Sequence, residues 1–142
     1  MSQRTLAARW GANGLPQELT QKITFADCGA DGIVTEIPLL DANGDDFAMP
    51  AGTNVAVETW VKTVFNSGTT DVITVGDGTT VDAYLAAGDI DEHAAGNKAR
   101  NAVEHETATV TPTVTITRTG AAPTTGEIYV VWTLTPCQFA TD

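Results

Sequence analysis

Residues 53–65 alternate from end to end. Val55, Val57, Thr59, Val61, Thr63 and Phe65 fall on one side, and Asn54, Ala56, Glu58, Trp60, Lys62 and Val64 on the other. A period of two sustained this long defines a strand with one buried face, and no helix accommodates it. Asn66-Ser67-Gly68 breaks the run with turn chemistry, and Asp71-Val72-Ile73-Thr74-Val75 reads as a second strand ending at Gly76-Asp77-Gly78. The expected unit is an antiparallel hairpin followed by a polar loop into Ala83-Tyr84-Leu85-Ala86-Ala87. It is scaffold rather than chemistry.

The same signals recur along the chain. Residues 21–26 alternate, with Ile23 and Phe25 on one face, and Gly29-Ala30-Asp31-Gly32 is a turn. Ile33 to Ile37 is a short strand, and Pro38 restricts its far end to an edge or an exit. In 106–118 a threonine row (Thr107, Thr109, Thr111, Thr113, Thr115, Thr117) opposes Ala108, Val110, Val114 and Ile116. The threonine row suits solvent or a polar interface, and Pro112 places the strand at an edge or a bulge. In the last strand Ile128, Val130, Trp132 and Leu134 point inward. Six to eight strands with frequent turns and no long helix give an all-β fold, an antiparallel β-sandwich. Periodicity leaves open whether its topology is jelly-roll-like or immunoglobulin-like.

Two segments stand apart. Residues 1–20 carry Arg4, Arg9 and Trp10 and are interrupted by Gly11, Gly14 and Pro16, which reads as an extended N-terminal arm ahead of a single domain over 21–142. Residues 92–105 show no period of either kind and read as a long irregular surface loop bearing Lys98 and Arg100. Arm and loop together hold four of the seven basic residues in a chain of net charge −11. These five residues, Arg4, Arg9, Trp10, Lys98 and Arg100, are the candidate partner contacts, since Trp and Arg are frequent interface anchors.

The acidic balance repels phosphate backbones, so nucleic acid is not an expected partner. No apolar run reaches the ~20 residues of a membrane helix, and the first residues lack the apolar core of a secretory signal, so synthesis in a cytoplasm is expected. Cys28 and Cys137 then read as thiols, with a disulfide between them geometrically open.

Catalytic groupings are sparse. His93 and His105 are flanked by Glu92, Glu104 and Glu106, a weak metal set on irregular chain, and a solvated acidic loop is the plainer reading. Asp41, Asn43 and Asp45 begin like a calcium loop, but Asp46 stands where a glycine belongs and Gly52 where the bidentate glutamate belongs, which leaves a polar turn. Asp45-Asp46 and Asp89-Asp91 lack the aromatic lining of a sugar cleft, and Gly76-Asp77-Gly78 lacks the following Lys-Ser or Lys-Thr of a phosphate loop. The expectation is no enzyme, no cofactor and no resident metal.

Two stretches resemble the decoration, or cement, proteins of tailed bacteriophage heads. One runs from Val55 through Phe65-Asn66-Ser67-Gly68-Thr69-Thr70 and Ile73-Thr74-Val75-Gly76-Asp77-Gly78 to Tyr84-Leu85-Ala86-Ala87-Gly88-Asp89-Ile90. The other joins Ile116-Thr117-Arg118-Thr119-Gly120 to Gly126-Glu127-Ile128-Tyr129-Val130-Val131. They cover about half the chain and are scaffold patterns. The resemblance implies a β-sandwich or jelly-roll module on the capsid surface of a virion, bound to the major capsid protein, commonly as a homotrimer, and stabilising the shell. The alternative within the same setting is a head-fibre, tail or receptor module that binds glycans through exposed aromatics such as Trp60 or Tyr129.

Overall fold

The computed structural model describes residues 17–66 and 70–136. Eight strands are present among them: β1 (Gln17–Thr24), β2 (Val34–Pro38), β3 (Thr53–Thr63), β4 (Thr70–Gly76), β5 (Lys98–Arg100), β6 (Glu104–His105), β7 (Thr113–Thr119) and β8 (Glu127–Pro136). They form two antiparallel sheets. The first is ordered β1-β8-β3-β5, with β6 also on β3, and the second is ordered β2-β7-β4.

Consecutive strands do not pair. β1 to β4 alternate between the sheets, and so do β7 and β8. The first strand meets the last and the second meets the seventh, while Val75 of β4 bridges to Leu85 as a rudimentary further strand. This winding is a jelly roll. An immunoglobulin sandwich would keep its first two strands in one sheet.

The expected hairpin between residues 53–65 and 71–75 therefore does not form, because β3 pairs with β8, β5 and β6 while β4 pairs with β7. Alternation specifies a face and not a neighbour. Val55, Val57, Thr59 and Val61 are buried, and Phe65 is wholly buried just beyond the strand. Thr63 is exposed, because the register shifts between Val61 and Thr63.

The core fills the space between the sheets. Ile128, Val130, Trp132 and Leu134 of β8 face Ile73, Val75, Val114 and Ile116 of the second sheet, all fully buried. Leu39, Phe47, Met49, Leu85 and Ile90 belong to the same buried cluster. Trp132 donates from Nε1 to Gln21 Oε1 at 2.7 Å and meets the Tyr84 ring edge-on at 5.9 Å. The Tyr84 hydroxyl donates to Glu106 Oε1 at 2.7 Å, so both polar ends of these aromatics are satisfied.

Several expectations need correcting. β1 begins at Gln17, inside the span read as arm, and its run ends at Thr24; Phe25–Asp27 is a 3-10 turn and Phe25 is exposed. The threonine row divides: Thr107 and Thr109 are exposed ahead of the strand, while the part within β7 lies at no sheet edge. β7 spans only Thr113–Thr119 and is the middle strand of its sheet, with Thr113 and Thr115 buried at 5% and 4% exposure. Pro112 precedes the strand, so its missing N–H costs no ladder bond, and its carbonyl accepts from Leu39 N–H at 2.8 Å. Pro38 does end β2, an edge strand, as its chemistry requires. Residues 92–105 are not wholly irregular, since β5 and β6 pair with β3 within them.

Candidate docking face

The outer surface of the first sheet is assembled by register. Tyr129 of β8 lies opposite Lys22 of β1 and Trp60 of β3, and Trp60 lies opposite Lys98 of β5. Four strands thus place Lys22, Tyr129, Trp60 and Lys98 in one transverse row. Side chains alternate along each strand, so the inward neighbours of this row are core residues while the row itself points to solvent.

Trp60 is 40% exposed and stacks on Tyr129, with ring centroids 5.7 Å apart and planes 23° from parallel. Lys62 Nζ lies 5.8 Å from the Tyr129 ring centre, within reach of a cation–π attraction. Glu127 sits between two lysines, 3.8 Å from Lys22 Nζ and 3.6 Å from Lys62 Nζ. The Tyr129 hydroxyl and then these two cations hold its carboxyl below the usual range, against the opposing effect of partial burial. In the next row Arg100 Nε approaches Glu58 Oε2 at 3.8 Å. A depression of about 250 Å³ opens there among Glu18, Ala56, Glu58, Arg100, Val131 and Thr133.

This surface concentrates cations in an acidic chain. Lys22, Lys62, Lys98 and Arg100 all lie on it, and the remaining described basic residue, Arg118, is tied into the fold by donating to the carbonyls of Gly29 and Gly120. The opposite side of the sandwich has the reverse character. Glu36, Asp46 and Asp77 border a hollow of about 430 Å³ beside the outer surface of the second sheet. The four cations, interspersed with Glu18, Glu58 and Glu127, thus lie on the first face, and among the described residues only that face carries a partly exposed, stacked aromatic pair.

Of the five residues singled out from sequence, the structure places two here. Lys98 and Arg100 are exposed on a strand rather than in a loop, and pairing with β3 brings them beside Trp60 and Glu58. Arg4, Arg9 and Trp10 lie outside the described residues, as does Cys137. Cys28 is half-buried and packs against the core. Sequence reasoning missed Lys22 and Lys62 as members of the same surface. Each is an isolated lysine on a different strand, and only the register joins them.

The groups considered for chemistry are engaged in holding turns. Asp41 Oδ1 accepts from Asn43 and Asp45 N–H at 2.8 and 3.1 Å, which makes the DANGDD segment a side-chain-capped turn. Asp89 accepts from Ala86 N–H, Asp91 from His93 N–H, and Asp77 from Thr79 and Thr80 N–H. His93 bonds the Phe65 carbonyl and His105 the Asn54 side chain. Among the described residues no group of three or more His, Cys, Asp and Glu is arranged to hold a metal ion. Glu92, next to one of those histidines, is buried and accepts from Ile73 N–H at 2.7 Å, so it covers the free edge of β4.

Compared by sequence with protein families and with curated proteins, the chain matches none. Compared by structure, it is similar to a chain of the cyanophage Pam1 capsid asymmetric unit, with a TM-score of 0.55 and 16% sequence identity. The alignment covers 89% of this chain and 88% of that one. The likeness extends over nearly all of both chains, so that chain shares the whole sandwich and not a fragment of it.

Proposed function

We propose that the protein is a structural component of a phage virion, a decoration protein that binds the outer surface of the capsid shell and stabilises it. The observation that carries this reading is the end-to-end fold likeness to a chain of a phage capsid asymmetric unit, together with the resemblance of its strand patterns to cement proteins. On this reading the Lys22–Tyr129–Trp60–Lys98 surface docks on the major capsid protein. The aromatic pair provides the dehydrated centre and the lysines with Arg100 the polar rim, the usual anatomy of a protein interface. Arg4, Arg9 and Trp10 supply a second contact from the N-terminal side. The cement-protein resemblance carries a homotrimer with it, in which several weak contacts made at once retain each cluster on the shell.

A glycan-binding fibre or receptor module is less well supported by the geometry. A sugar stacks on an open ring face, whereas Trp60 covers one face of Tyr129 and Lys62 lies over the same ring.

The test is co-sedimentation of the purified chain with shells of its phage from which it has been stripped. Trp60→Ala removes the central anchor and is expected to cost about 2 kcal/mol per contact, roughly 30-fold in single-site affinity. Full binding by Trp60→Ala and by Lys98→Glu would remove this surface from the interface. No binding of the wild-type chain to shells, with Trp60-dependent binding to host glycans instead, would replace decoration by the receptor reading.

A further inference from the structure

β1 ends the first sheet, and among the described residues no strand pairs with its outer edge. Phe25 N–H donates to the Gly126 carbonyl, one step beyond the Thr24–Glu127 pair. In an antiparallel ladder the bonded residues alternate, so the odd-numbered residues of β1 bond to β8. The N–H and C=O groups of Glu18, Thr20 and Lys22 then point away from the sheet. Thr24 N–H, next in that series, is taken by Asp27 Oδ2 at 2.8 Å, which closes the edge at its end. An edge of this length, unpaired among the described residues, is a template for another strand.

The side chains along the edge specify which strand. We infer that β1 pairs antiparallel with β1 of a second copy about a two-fold axis at Thr20. In that register Thr20 faces Thr20 of the other copy, Glu18 faces its Lys22, and Lys22 faces its Glu18. All three positions have outward backbone groups, so the ladder is self-consistent. Centring the axis on Glu18 or on Lys22 sets like charges opposite one another, and centring it on Leu19 or Gln21 leaves both charges facing uncharged residues. Only the Thr20 register satisfies both charges twice. The contact is isologous, each copy offering the same patch.

The pairing has a consequence for the docking face, and that consequence alone rests on the decoration reading. A two-fold axis through such a ladder stands perpendicular to the sheet. The two first sheets become one continuous sheet, and both Trp60–Tyr129 surfaces point to the same side. The linkage then joins a copy of one trimer to a copy of another without covering either aromatic centre, and both engage the shell together.

The experiment is sedimentation of the full chain without shells, at low salt and over a dilution series, so that its failure is separate from failure of the shell reading. Glu18 and Lys22 are exposed, and their reversal leaves the core intact. Glu18→Lys sets lysine against lysine and Lys22→Glu sets glutamate against glutamate, and each alone is expected to weaken self-pairing roughly tenfold or more. An equimolar mixture of the two variants restores opposite charges at both positions and recovers the pair. Thr20→Pro removes an outward N–H without touching the β8 ladder and blocks pairing in a folded chain, with the fold checked by circular dichroism. No association of wild type through this edge at any soluble concentration, including the case in which residues 1–16 cover it, overturns the inference. So does a mixture that pairs no better than either variant alone.

Discussion

Glu92 offers a decisive test of how the second sheet is closed. It is 7% exposed, and its Oε1 accepts the N–H of Ile73, a fully buried residue of an edge strand, at 2.7 Å. Glu92→Ala leaves that N–H without a partner, at a cost of about 1–3 kcal/mol. At this chain length that corresponds to a fall in Tm of about 3–10 °C. Glu92→Gln keeps an acceptor oxygen and removes only the charge. Burial raises the Glu92 carboxyl above its ordinary value of 4.5, partly offset by the Ile73 hydrogen bond. The folded state therefore binds this proton more tightly than the unfolded state does. The associated stability is fully present below the unfolded pKa and is lost as pH rises through the folded one. Gln does not titrate, so the stability of Glu92→Gln relative to wild type should increase from pH 4 upward and level off above the folded pKa. Urea unfolding of wild type and both variants at intervals from pH 4 to pH 8 reads this directly. A Glu92→Ala protein as stable as wild type, or a Glu92→Gln difference that does not vary with pH, would refute the assignment of Glu92 as a buried cover for the β4 edge.

Two further substitutions test the packing. Gly126 has φ 151°, and a Cβ there would collide with the Phe65 ring, so Gly126→Ala should cost about 1–3 kcal/mol by denaturant unfolding, with wild-type stability refuting the contact. Trp132→Ala empties the centre of the core and strands Gln21 Oε1, and a loss of about 3–5 kcal/mol is expected from the same assay.

Much of the architecture was legible in local pattern. The inward set of β8 and the buried set of β3 follow from alternation, because a sheet packed on one side must place apolar residues at every second position. The turns at 41–46 and 76–80 were equally legible, since aspartates there cap backbone N–H groups within a few residues. The threonine row was misjudged because polarity alone does not show that β7 lies between two neighbours. β5 left no periodic trace because it is three residues long and held by its ladder to β3.

The candidate site shows the division most clearly. The sequence by itself determined an all-β chain and most of the residues that enter its core, since both depend on residue type and spacing along the strand. Only the tertiary structure decided that Lys22, Trp60, Lys98 and Tyr129 share one row, that β3 and β4 separate into different sheets and that Glu92 is buried. In a jelly roll the strand pairings join residues distant in sequence, and local periodicity carries no information about which distant strand supplies the neighbour.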